Sequence, residues 1–134
     1  MERYTVTVVH LNTQSELSII IEADEAETTE DIILSTQIED SCFSASNYGY
    51  FEAFQELRDK LLQNGYGVKC VGSKVNAVQS SMASATYKVY EAVLGKQTAI
   101  KDLICLYDYA NIDEFPNTKT QNEFLQKWIH SLRK

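Results

Sequence analysis

The chain is poor in the residues that punctuate, staple or catalyse. In 134 residues it has one proline, five glycines, two histidines and three cysteines. With Pro116 the only proline and no Gly/Ser-rich stretch, no linker divides it, and its length reads as a single domain over residues 1–134. A domain of that size buries a sizeable core without staples. Cys42, Cys70 and Cys105 are odd in number and far apart, with no Cys-x-x-Cys pair. That pattern argues against a disulfide framework and for free thiols in a reducing cytoplasm. No window approaches the roughly 20 apolar residues of a membrane helix. The opening MERYTVTVVHLNT lacks the basic region, apolar run and small-residue site of a signal peptide. The expectation is a cytoplasmic protein with no membrane partner.

Bases are scarce in one half. Residues 1–57 hold twelve acids against Arg3 alone, a net of −11, whereas residues 58–134 hold seven acids and eleven bases, a net of +4. Much of the excess sits in EADEAETTED, residues 22–31, where six of ten side chains are carboxylates. So acidic a half repels phosphate backbones, which argues against direct nucleic-acid binding.

Chemistry is equally scarce. A Ca²⁺ loop needs oxygen ligands at alternate positions and a glycine at the sharp turn, but Ala26 interrupts the ligand pattern and no glycine follows. Gly67 and Gly72 have phosphate-loop spacing, yet Ser73-Lys74 reverses the Lys-Ser/Thr order the motif needs. They read instead as turn glycines bracketing a strand. There is no Gly-x-Ser-x-Gly elbow, and His10 and His130 with scattered cysteines do not make a zinc cluster. The expectation is no metal, no cofactor and no catalysis.

The patterning predicts an α+β fold with an antiparallel or mixed sheet. YTVTVV (4–9) and LSIIIE (17–22) read as a strand hairpin, with the acidic stretch following directly. IILSTQIEDSCFSA favours one further strand around 35–44. Phe51, Phe54, Leu57, Leu61 and Leu62 mark a helix over about 47–64, with Asn47 as its cap and Gly65 as its stop. VKCVG and TYKVYEAVL read as strands, SSMAS (80–84) as a loop, and LICLYDYA (103–110) fits either type. A second helix spans about 119–133. Thr120 and Glu123 have capping-box form, and Phe124, Leu125, Trp128, Ile129 and Leu132 make a stripe that would anchor in the core. Most of the eight tyrosines should put the ring in the core and the hydroxyl at its edge.

From Phe51 onward, the words FEAFQELRDKLLQNG, CVGSKVNAVQSSM, VYEAVLGKQ, LICLYDYA and NEFLQKWIHSLRK resemble, in order and spacing, a family of small bacterial proteins: the immunity proteins of contact-dependent growth inhibition and related polymorphic toxin systems. Gln79-Ser80-Ser81-Met82 departs from the family's Pro-Ser-Gly-Met, which puts that turn in doubt. The resemblance carries no catalytic signature. It implies a protein that binds one cognate toxin domain and blocks it, and an acidic inhibitor suits the basic cleft of a nuclease-type toxin. On that reading Glu22, Asp24, Glu25, Glu27, Glu30 and Asp31 face the partner, with Glu39 and Asp40 as a second group. The rival readings are a non-catalytic adaptor or regulatory domain and a small enzyme using acidic residues.

Unpaired cysteines and the missing ligand cluster predict that folding needs neither oxidation nor metal. The melting temperature should be unchanged by EDTA and by reductant. A fall of about 4 °C or more in either, equivalent to about 1 kcal/mol, would reveal a structural metal or disulfide.

Overall fold

The computed structural model describes residues 1–80 and 86–133. Four strands come first: β1 (Glu2–His10), β2 (Glu16–Glu25), β3 (Ile32–Ile38) and β4 (Ser41–Asn47). Helix α1 (Tyr50–Gln63) follows, then β5 (Tyr66–Val68), β6 (Ala77–Val78), β7 (Lys88–Glu91), β8 (Ile104–Cys105) and helix α2 (Thr118–Ser131). The main sheet has the order β4-β3-β2-β1-β5, and β6-β7-β8 form a small second sheet. Every strand pair is antiparallel, so the fold is α+β.

Period-2 alternation decides which face is covered. Val6 and Val8 of β1 pair with Ile19 and Leu17 of β2, Ile21 with Thr36, and Leu34 with Ala45. These residues line one face, and α1 lies on it with Phe51, Phe54, Leu57 and Leu61 turned into the same core. The opposite face carries Arg3, Thr5, Ser18, Glu22 and Gln37. Gly65, at φ 88°, follows the end of α1 as expected and turns the chain into β5.

The third strand expected around 35–44 is two strands. Ile38 pairs with Ser41, so Glu39 and Asp40 form a two-residue turn, and Glu39 takes the left-handed φ of 54°. Glycine or asparagine normally marks such a turn, and neither is present. Gly49, not Asn47, holds the N-cap position of α1, with no side-chain cap, and Asn117 rather than Thr120 caps α2, its Oδ1 accepting from Thr120 N at 2.9 Å. The VKCVG strand is split: β5 stops at Val68, and Val71–Ser73 make a 3-10 turn. LICLYDYA supplies the short β8 and a single bridge from Tyr109 to Cys70. The loop expected at 80–84 lies, Ser80 excepted, outside the described residues.

The largest correction concerns α2. Its stripe does not enter the main core: Phe124, Leu125 and Trp128 are half-buried against a satellite cluster of Val78, Tyr90 and Ala92 on the small sheet. Trp128 Nε1 donates to Lys96 O at 2.9 Å. The one buried residue of α2 is Gln121. Its Nε2 donates to the carbonyls of Gly72 (2.9 Å) and Lys74 (2.7 Å), and its Oε1 accepts from Arg58 (2.7 Å) and Gln55 (3.0 Å). Arg58 is 1% exposed, with its Nε on Asp59 at 2.9 Å. Asp59 in turn accepts from Thr118 N at the first turn of α2, at 3.1 Å.

Polar hydrogen bonds at Gln121, more than apolar burial, therefore hold α2. Gln121→Ala should cost about 2–4 kcal/mol, because it takes one acceptor from a buried guanidinium, which keeps Asp59 and Thr118, and the side-chain donor from Gly72 O. Trp128→Ala should cost about 1–3 kcal/mol, below the 3–5 of a fully buried tryptophan. Denaturant midpoints of the two variants rank them, and a larger loss at Trp128 would refute the ordering.

Candidate functional site: an acidic cleft at the end of the main sheet

The acidic stretch does not simply follow β2; it contains the strand's last four residues. Asp24 pairs with Ile33 and Glu25 with Ile32, and Ala26 N donates to Asp31 O at 3.0 Å, closing the hairpin. Alternation then divides the acids. Glu22 and Asp24 are on the outer face, where Glu22 meets Arg3 at 3.4 Å and Asp24 reaches the inner face only at the strand's end. Glu25 is on the inner face, at the strand end. Glu27 and Glu30 sit at the exposed turn, with Asp31 half-buried beside it. Among the described residues Asp24, Glu25, Glu27, Glu30 and Asp31 form no ion pair.

Glu39 and Asp40 lie at the other end of β3, about 20 Å away at about 3.3 Å per residue. The eight acids singled out in the sequence therefore form two separate groups. Glu22 bridges them only in part: it shares a shallow depression on the outer face with Arg3, Ile20 and Glu39.

At the hairpin end the inner face opens into a cleft of about 400 Å³. Ala23 and Ile32 make its apolar floor, Tyr50 and Tyr87 an aromatic wall, and Glu2, Asp24 and Glu25 its acidic rim. No Lys, Arg or His side chain lines it. The sequence singles out neither Glu2 nor the meeting of Tyr50 and Tyr87, two of the tyrosines available for a contact surface, with the acids. For Glu2 a signal existed: the parity of Tyr4, Val6 and Val8 puts it on the core face at the start of β1. Tyr50 and Tyr87 arrive from α1 and from the residue before β7, a tertiary meeting that no local pattern records.

Behind the wall is a cluster of phenols. Tyr4 stacks on Tyr107 with centroids 4.3 Å apart, the Tyr50 and Tyr107 hydroxyls are 3.1 Å apart, and Tyr4 donates to Glu2. Burial, with Glu2 as a further cause, raises the Tyr4 pKa, and burial raises those of Tyr50 and Tyr107. The Lys88 ammonium lies over the Tyr87 ring at 5.4 Å, a cation–π contact.

The other candidates fall apart spatially. Gly67 lies inside β5 pressed against the Phe115 ring, where a Cβ would come within 2.7 Å, and Gly72 packs on Phe54 and Leu106. Both serve close packing rather than a phosphate cradle. His10 meets Tyr66 edge-on at the end of β1, and His130 is exposed on α2. Among the described residues no three His, Cys, Asp or Glu side chains are grouped to hold a metal ion. Tyr48 and Tyr109 are exposed, while Tyr50, Tyr90 and Tyr107 are buried. No helix of the described residues is long and apolar enough to cross a membrane. No protein-family model and no curated protein matches the chain.

Buried phenols and the Cys70 thiol, which burial pushes up to about 11, set an alkaline limit. Their folded pKa values exceed the unfolded ones, so the unfolded chain loses protons first and stability falls as pH rises through about 9 to 10. Melting temperature followed from pH 7 to 11 should decline across that window. Tyr107→Phe should flatten the decline; an unchanged slope would remove the phenols from the account.

Proposed function

We propose that the protein is an immunity-type inhibitor that binds a basic toxin domain through the hairpin end of its main sheet and catalyses nothing itself. One observation carries the reading: five carboxylates without ion pairs among the described residues project from a hairpin braced by the strand ladder, beside a cleft lined by three acidic and two aromatic residues and by no Lys, Arg or His side chain. Crowded like charges destabilise the free protein by mutual repulsion, and a basic surface relieves that repulsion. The same charges steer encounter, with rate gains of roughly 10 to 10³-fold at low salt. The resemblance of the chain from Phe51 onward supplies the biological setting, a cytoplasmic complex with one cognate toxin.

The partner sought is the product of the adjacent gene, by co-purification. With that partner in hand, Asp24→Asn, Glu25→Gln, Glu27→Gln, Glu30→Gln and Asp31→Asn together should slow association at least about tenfold at low salt. Glu39→Gln with Asp40→Asn, at the far end, should change it less than about twofold. Equal effects from the two sets would mean that net charge, and not this face, governs binding.

A further inference from the structure

A second surface contrasts with the acidic cleft. Between β7 and α2 the chain makes a turn at Val93–Lys96, closed by Lys96 N donating to Val93 O at 3.0 Å with Gly95 at φ 81°. Val93 is 53% and Leu94 52% exposed. The turn is fixed on α2: Gly95 N donates to Ser131 Oγ at 2.8 Å and Trp128 Nε1 to Lys96 O at 2.9 Å. An apolar tip already held rigid loses little entropy on docking. Its surroundings are basic. Lys96 and Lys101 are on the same loop, and Lys127 is one helical turn before Ser131. Asp102, the loop's one acid, accepts from Ala99 N at 3.3 Å.

We propose that this Val93–Lys96 turn docks in the acidic cleft of a second copy of the chain. Charge complementarity selects the occupant. The tip is apolar and rimmed by lysines; the cleft has an apolar floor of Ala23 and Ile32 and an acidic rim of Glu2, Asp24 and Glu25. Val93 and Leu94 cover the floor, and Lys96 meets the carboxylates of the rim, away from the Tyr87 ring that the Lys88 ammonium already covers. Tyr87 immediately precedes β7 and Val93 follows it, so each molecule presents both surfaces. The contact is heterologous and propagates into short oligomers. So small an interface is weak, with a dissociation constant of about 1 mM or somewhat tighter. This does not rest on the toxin reading, although a partner in the cleft would displace the second copy.

Sedimentation of the whole chain tests it. As concentration rises toward about 1 mM, the weight-average mass should climb above 15.2 kDa. A tip variant (Leu94→Ser with Lys96→Ser) and a cleft variant (Asp24→Asn with Glu25→Gln) should each remain monomeric. All four side chains are exposed, and melting curves check the folds. Mixed together, the two variants should form a complex that stops at one to one, because each keeps a single working surface. A wild-type chain monomeric throughout, association that survives either variant, or a mixture without a complex would overturn the proposal. The tip variant keeps its cleft, so its binding to the adjacent gene's product tests the toxin reading separately.

Discussion

A buried charge organises the second half of this molecule. Arg58, on the inner side of α1, is almost wholly removed from water, and burial pulls its pKa down while Asp59 opposes that shift. A guanidinium remains charged in proteins, so it needs hydrogen-bond acceptors. Asp59 provides one for Nε, and Gln121 and the Thr118 hydroxyl provide them for one Nη, while the other Nη is buried with no partner among the described residues. Asp59 also receives the Thr118 amide that opens α2, and Gln121 also holds the carbonyls of Gly72 and Lys74. Fixing that one ion thus fixes where α2 begins and how the 72–74 turn runs. Removing one acceptor leaves a buried cation under-satisfied, a far larger penalty than losing a surface pair.

This division explains why the two ends behave differently. The main sheet and α1 cohere through apolar packing in one continuous core. The small sheet shares that core through Ala77, Val89, Ile104 and Cys105, whereas α2 is held by a polar knot and a satellite cluster. The apolar side chains of α2 are only partly covered, and the turn at 93–96 carries Val93 and Leu94 to the surface. The acidic hairpin, by contrast, extends from the best-packed strands, which keep its carboxylates in place despite their repulsion.

Much of the first layer was legible because its signals are local. β1, β2 and α1 follow from period-2 and 3.6-residue patterns, and Gly65 turns the chain where expected. The Glu39-Asp40 turn was not legible, since neither residue advertises a positive φ. α2 was visible as a helix but misplaced, because its stripe resembles a core stripe while Gln121, a polar residue on the same helix, makes the buried contacts. For the site, the sequence located the acids. It did not divide them between faces and ends, and it did not bring Glu2, Tyr50 and Tyr87 to Glu25, because that meeting depends on how β1, α1 and β7 converge.

The central claim is that the hairpin end of the main sheet, rather than its edge or α2, is the binding face. Amide hydrogen exchange of the protein alone and with the adjacent gene's product tests it most directly. Residues 27–30 of the turn are exposed in the free protein, so a partner seated there slows the exchange of their amides. The account predicts protection concentrated in residues 24–33 and at the start of β1, with β4 and the 39–40 turn unchanged. Protection confined to β4, α2 or the 39–40 turn, with residues 27–30 exchanging as freely as before, would contradict it.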